Sequence, residues 1–292
     1  MANLRAIRKR ISSVKSTQQI TRAMKMVSAA KLRRAQEAIV AARPYARKMR
    51  EVVLSVGSKV DSSAHPLLAS REVKRLALLV VTSDRGLCGS FNAGLTRYVH
   101  RYIAEQQAKY EEIVLYMVGR KGRDFFRRRG VRIHKEYLGV LGTLGQWHVE
   151  TIASELLEGF VNGEFDEARI VYNEFRSAIS QVARIEKLLP LTMDTLEEGN
   201  DENAHDFEYL FEPDKRKILE LLLPKYVETD IFRVLLESVA GEHGARMTAM
   251  DSATNNSVDM IARLTLQMNR ARQATITTEL TEIVSGAEAL KG

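Results

Sequence analysis

The sequence predicts an α/β protein: a Rossmann-like, doubly wound sheet domain carried between two long terminal helices that pair as an antiparallel coiled coil. Three observations lead there. Residues 3–57 hold no glycine before Gly57 and repeat apolar or small residues at alternating spacings of three and four. Residues 73–211 alternate short apolar runs with helical patterns, as strands and helices do in a wound sheet. From residue 213 to about 289 the helical spacing returns. Two very long helices at opposite ends of one chain pair antiparallel, with the sheet domain at the closed end and both termini at the free end.

The seam of the first helix runs Leu4, Ile7, Ile11, Val14, Gln18, Thr21, Ser28, Leu32, Ala35, Ile39. Between Gln18 and Ser28 it is polar and small, where a coil built for stability alone carries Leu or Ile. A second apolar line of Ile20, Met24 and Val27 lies on another face, so the helix offers apolar surface to more than one neighbour. At ~1.5 Å per residue, about 50 residues reach roughly 75 Å. Pro44 is expected to kink the helix or mark a join. Residues 57–72, with Gly, Ser and a His-Pro step, read as a linker.

Residues 73–82 (VKRLALLVVT) form a continuous apolar run, typical of a strand buried on both faces. Further strands are predicted at 113–118, 131–135, 168–172 and 182–191, and helices at 92–108, 120–129 and 146–162. The alternation implies a parallel sheet. Residues 196–206 read as an acidic loop and 207–211 as a last edge strand. Pro213 suits a first helical turn, and Pro224 a second start or a kink. Apolar positions from Ile231 to Ile283 continue the last helix, which Gly241 and Gly244 interrupt without ending; from Lys225 on, about 65 residues span roughly 95 Å. The predicted domains are therefore 1–57, 73–211 and 212–289.

Composition narrows the function. No run approaches the ~18 apolar residues of a membrane span. The start, MANLRAIRKRISSVK, is charged without a following apolar core, so it is no secretory signal; it is basic and amphipathic as transit peptides are, but the pattern runs on into the helix. The single cysteine, Cys88, forms no intrachain disulfide, and no histidine pairs with it at metal-ligand spacing. Of the formal charge of +7, residues 1–50 hold 14 basic side chains against one acid, Glu37. Such a segment is either a solvated face or a docking face for an acidic partner. Nucleic acid fits poorly. Residues 1–44 contain no aromatic side chain for base stacking, and no strict leucine heptads follow the basic stretch.

A wound sheet invites an enzymatic reading. The first strand runs into SDRGLCGSFN, residues 83–92, at the strand end where such sheets bind ligands. The loop lacks GxGxxG and GxxxxGK[ST], so Gly86 and Gly89 read as a tight turn into a helix. The glycine-rich residues 139–145 read as a flexible loop. Cys88 has no base near it in sequence and reads as a buried or contact cysteine. Asp84 and Arg85 read as a contact pair, Trp147 as a core residue, His148 as an exposed imidazole, and Arg127, Arg128 and Arg129 as solvated. No catalytic, cofactor-binding or metal site is predicted. The competing reading is a nucleotide-binding α/β enzyme with a coiled-coil appendage.

Three stretches carry a resemblance: IRKRISSVKSTQQITRAMKMVSAAKLRRAQ near the start, TSDRGLCGSFN in the middle, and ESVAGEHGARMTAMDSATNN with LQMNRARQATITTELTEIVSGAEAL near the end. In order and over the whole chain they resemble the γ subunits of bacterial F-type ATP synthases. The resemblance implies a non-catalytic shaft. Its coiled coil enters an α3β3 hexamer, and its sheet domain lies near ε and the membrane c-ring. Proton flow turns the ring and the shaft with it, and the chain is peripheral at the cytoplasmic face of the plasma membrane. It also implies partner contacts. Met24 and Lys25 in TRAMKMV meet the acidic lever regions of β, which accounts for a basic shaft. Asp84, Arg85 and Cys88 lie in a loop facing a β lever. Arg272 and Gln273 in ARQA meet a catch loop of β, and Arg246 lies in the ARM segment of the same helix. The tip, residues 274–286, carries only Glu279 and Glu282 as charges, which suits a bearing. The inserted cysteine pair of the plant plastid forms is missing, so no thiol switch is expected. With no long leader before the matching start, a bacterial rather than an organellar protein is expected.

Overall fold

The computed structural model describes residues 4–57, 65–69, 71–192 and 215–290. The predicted acidic loop at 196–206, the edge strand at 207–211 and Pro213 lie outside the described residues. The first helix, α1 (Leu4–Gly57), and the last, here α5 (Lys215–Ala289), each run unbroken through their internal prolines, Pro44 and Pro224. Two compact units result. One combines residues up to 28 with those from 247 onward; the other comprises residues 29–246.

In the first unit the helices pair through the polar part of the seam. Thr21 Oγ1 lies 2.8 Å from Thr254 Oγ1, and Lys25 Nζ lies 2.6 Å from Asp251 Oδ1. Partner numbers fall on α5 as they rise on α1, so the pair is antiparallel. Ile7, Thr21 and Ser28 are buried, as are Met250, Ser257 and Leu264 on α5. The Gln18 and Met250 carbonyls stand within reach of the paired threonine hydroxyls (3.1 and 2.7 Å), so these partly buried hydroxyls are satisfied. Ile20 and Val27, the second apolar line, are more than half exposed.

In the second unit a five-stranded sheet has the order β3-β2-β1-β4-β5. Its elements are β1 (Arg75–Val81), α2 (Phe91–Gln106), β2 (Glu112–Val118), α3 (Arg120–Arg127), β3 (Ile133–Tyr137), α4 (Gln146–Val161), β4 (Glu167–Ser177) and β5 (Ser180–Leu189). β1 runs parallel to β2 and β4, and β2 parallel to β3. The fifth strand departs from the all-parallel expectation: β5 is antiparallel to β4. β4 continues past its apolar ARIVY run to Ser177, and only Ala178 and Ile179 separate it from β5. A parallel crossover needs a dozen or more residues, so a two-residue turn leaves only the hairpin.

The continuous apolar run of β1 is explained by cover on both faces. Ala77, Leu79 and Val81 pack with Val149, Ile152, Leu156 and Phe160 of α4, with Val53 of α1 and with Leu223, Val227 and Ile231 of α5. Leu76, Leu78 and Val80 pack with Leu95 and Val99 of α2 and Phe126 of α3. Gly244 has a packing reason to stand mid-helix: a Cβ there would sit 3.1 Å from the Ala178 Cα of the β4–β5 turn. The hairpin approaches at the expense of about 1 kcal/mol of helix propensity against Ala.

Three local expectations change. The end of the predicted linker belongs to the core, since Leu67 and Leu68 are buried and the Leu67 carbonyl accepts from Leu191 N–H at 2.8 Å. Residues 139–145 are anchored rather than flexible, with a 3-10 turn at Val140–Gly142 whose Val140 and Leu141 are buried. Trp147 and His148 exchange roles: Trp147 is 65% exposed and His148 6%. At the start of α4 the imidazole turns back so that Nδ1 accepts Gly145 N–H at 3.2 Å, capping a donor the helix leaves open, and the indole stacks over it from outside at 3.6 Å.

Candidate partner-contact site

The loop after β1, residues 83–92, is built as a rigid arch. Asn92, in the first turn of α2, closes it. Its Oδ1 accepts Ser83 N–H at 2.9 Å, and its Nδ2 donates to Ser83 Oγ at 2.8 Å and to Cys88 Sγ at 3.2 Å. Ser83 Oγ donates to the Arg85 carbonyl at 2.7 Å. Cys88 is 2% exposed and packs with Phe91 and Ala245. Burial pushes its thiol up, and Arg246 only partly offsets this. It is a plug rather than a nucleophile.

Asp84 and Arg85 do not pair with each other. Asp84 Oδ1 accepts Arg120 N–H at 3.1 Å and Oδ2 accepts Gly139 N–H at 3.0 Å. One carboxylate thus ties the loop to the first turn of α3 and to residue 139. Two features of α3 make this approach possible: Gly119 has φ +88°, and the Gly122 N–H donates to Thr82 Oγ1 at 3.0 Å. Arg85 is exposed. Arg246 reaches under the arch from α5, with Nε and Nη2 both donating to the Gly86 carbonyl at 3.4 and 3.2 Å. Its charge is met by Glu242 at 2.7 Å, and both side chains are less than a tenth exposed. Burial raises the Glu242 carboxyl against the pull of Arg246.

His243 lies against this pair, its Nδ1 3.3 Å from Arg246 Nη1. Burial first, then Arg246 and Lys31, lower its pKa from the usual 6.5 to about 4. The unfolded chain takes up this proton near pH 6.5 and the folded chain only near 4. The stability His243 contributes is therefore complete above 6.5 and is lost as pH falls toward 4. At 1.36 kcal/mol per unit that loss is roughly 3 kcal/mol. Glu242, with a raised pKa, acts in the opposite sense. His243→Gln keeps an acceptor for Arg246 and is expected to flatten the acid limb in denaturation curves taken from neutral pH down to 4. An unchanged limb would assign acid sensitivity elsewhere.

The remaining predicted contact residues lie in the other unit. Met24 is half-buried, and Lys25 is engaged by Asp251. Arg272 and Gln273 are exposed, and their side chains meet no partner among the described residues. The structure brings Asp84, Arg85, Cys88 and Arg246 together in one construction. Met24, Lys25, Arg272 and Gln273 belong to the unit of the paired helices.

Among the described residues no group of three or more His, Cys, Asp or Glu side chains could hold a metal ion. A cleft of about 1130 Å³ lies among α1, the start of α4, β4 and α5, away from the β1 loop. Its carboxylates are engaged: Glu228 with Lys225 at 2.7 Å, Glu237 with Arg233 at 3.2 Å, and Glu174 with Arg184 at 3.1 Å. No described helix is long and apolar enough to cross a membrane.

Comparison with known proteins decides the family. A family model described as ATP synthase matches residues 3–290. The ATP synthase gamma chain of Geobacter metallireducens is 53% identical over 292 residues, covering all of both chains, and that of Trichlorobacter lovleyi is 51% identical with the same coverage. The chain belongs to the ATP synthase gamma-chain family. A gamma chain is a non-catalytic stalk subunit of the synthase. Among solved structures, a chain from the Tetrahymena thermophila mitochondrial ATP synthase central stalk and c-ring is 26% identical with a TM-score of 0.61. The match covers 80% of the present chain and 99% of that one. A chain from the Euglena gracilis mitochondrial ATP synthase shares the fold at a TM-score of 0.70 and 21% identity, covering 98% and 94%. The structure adds two residues that sequence reasoning passed over: Asn92, which closes the arch, and Leu87, exposed at its crown. The signal for Leu87 was available, since an apolar side chain between two glycines of a turn is out of place.

Proposed function

We propose that this gamma chain is the central rotor shaft of a proton-translocating F-type ATP synthase. It transmits rotation of the membrane c-ring to the catalytic β subunits of an α3β3 hexamer, with ε beside its sheet domain. What supports this most is the full-length match to bacterial gamma chains, joined to an antiparallel helix pair with apolar residues on its outer face. On this reading residues 1–57 and 212–289 serve as the shaft and residues 73–211 as the foot. The chain is peripheral at the cytoplasmic face of a bacterial plasma membrane.

The mechanism is coupling by differential contact. An asymmetric shaft offers each of three catalytic subunits a different set of contacts, and each set favours a different nucleotide affinity, so turning the shaft changes the affinities in sequence. The contacting residues are Met24, Lys25, Arg85, Arg272 and Gln273. Asp84, Cys88 and Arg246 serve the same contact from within, by shaping the loop. A basic shaft suits acidic levers.

The test is reconstitution of this chain with α and β subunits, with ATPase turnover measured with and without it, and equilibrium binding of ATP and NAD to the chain alone. A stable complex with shaft-dependent turnover, and no micromolar nucleotide binding by the isolated chain, is expected. Saturable nucleotide binding by the chain alone and no complex would overturn the proposal in favour of a nucleotide-binding enzyme.

A further inference from the structure

Leu87 is the one non-glycine residue with positive φ among the described residues, at +62°. A left-handed conformation is unfavourable for an L-residue because its Cβ crowds the following carbonyl oxygen, and glycine or asparagine would adopt it at less cost. The leucine gains little burial within the chain, because it is 64% exposed. Backbone and packing thus both argue against leucine at this position as far as the isolated chain is concerned. The residues beneath it are correspondingly firm. The Gly86 carbonyl is held from below by two nitrogens of Arg246, whose charge Glu242 balances inside the protein. Cys88, on the other side of Leu87, is buried and bonded by Asn92. The strained residue is clamped on both flanks and is exposed, as is Arg85 two positions before it in the same loop.

We propose that Leu87 is the apolar anchor of this loop, and that Arg246 is a positioning residue that holds it out through the Gly86 carbonyl. The surface fits a partner with an apolar recess beside a carboxylate: leucine fills the recess while Arg85 meets the charge. This rests on the coupling reading and assigns the partner as the acidic lever of a catalytic subunit. An exposed leucine that becomes enclosed next to a charge-assisted contact has the composition of an interface hot spot. A firm loop loses little freedom on binding, so more of the contact free energy remains for distinguishing one lever conformation from another.

The experiment uses the complete synthase in proton-loaded vesicles, measuring ATP synthesis together with amide exchange at residues 86–88. Leu87→Asn accepts the left-handed backbone and removes the apolar contact. It is expected to lower synthesis about tenfold, the loss of one anchor of roughly 1.4 kcal/mol, with an undiminished melting temperature. Leu87→Met keeps an apolar side chain and is expected to retain synthesis. Arg246→Lys keeps the charge opposite Glu242 but has one nitrogen where two held Gly86; it is expected to speed exchange at 86–88 and lower synthesis. Combined with Leu87→Asn it is expected to lower synthesis no further, because it acts through Leu87. Wild-type synthesis in Leu87→Asn would overturn the anchor, and additive losses in the double variant would overturn the positioning role. Failure of the wild-type chain to support synthesis at all would instead refute the coupling reading.

Discussion

Replacing Arg272 and Gln273 together with alanine is expected to cut proton-driven ATP synthesis by the complete synthase at least tenfold, while circular dichroism and melting of the chain stay unchanged. Both side chains stand exposed on α5 without partners among the described residues, so their removal takes away no contact that supports the fold. Their proposed use lies outside the chain. A guanidinium that donates to a partner contributes about 1.5–3 kcal/mol, and each 1.4 kcal/mol is tenfold. Paired measurement of synthesis and of ATP hydrolysis separates lost coupling from failed assembly. If both rates match the wild type in an intact complex, these two residues are not contacts.

The largest expected effect on stability comes from Gly119→Ala. Gly119 sits at φ +88° and ψ 145°, a region almost closed to residues with a Cβ, and that Cβ would run into the Thr82 carbonyl at the end of β1. The obstacle is backbone, so it yields only if β1 and the start of α3 separate. Strain of about 1–3 kcal/mol plus the steric cost leads us to expect a loss of at least 3 kcal/mol in urea unfolding. The effect should reach the arch, because the bond from Arg120 N–H to Asp84 begins one residue later. A loss under about 1 kcal/mol would mean that this junction is far softer than its geometry implies.

The elements differ in how far they could be read in advance. The α1 seam was fully legible: Ile7, Thr21, Ser28, Leu32 and Ala35 are all buried, and Leu4, Ile11, Val14, Gln18 and Ile39 are partly so. A period of 3.5 along a chain has one geometric consequence, so local pattern sufficed. β1 and β2 were legible as unbroken apolar runs. The second half of β4 was not. NEFRS is polar, and its strand pairing comes from β5 across a turn rather than from its own composition. Trp147 and His148 were read the wrong way round because hydrophobicity predicted their burial, whereas the capping of an open helix end decided it.

The contact residues divide in the same way. Sequence resemblance located the loop at 83–92 and Arg246, but it read them all as outward contacts. The structure buries Cys88 and Arg246, ties the half-buried Asp84 to Arg120 and Gly139, and leaves Arg85 and Leu87 exposed. Which side of a turn a residue faces depends on the partner it finds across space, and Gly86 and Arg246 are 160 positions apart.

What the sequence by itself determined is the family, the two long helices, the seam between them and the existence of a wound sheet. Each rests on periodicity or on ordered motifs, which are properties of neighbouring residues. Only the tertiary structure decided the direction of β5, the exchange of Trp147 and His148, and the division of the loop into a buried frame and an exposed crown. Those outcomes depend on hydrogen bonds and excluded volume between segments distant in the chain, and local order along the sequence does not carry that information.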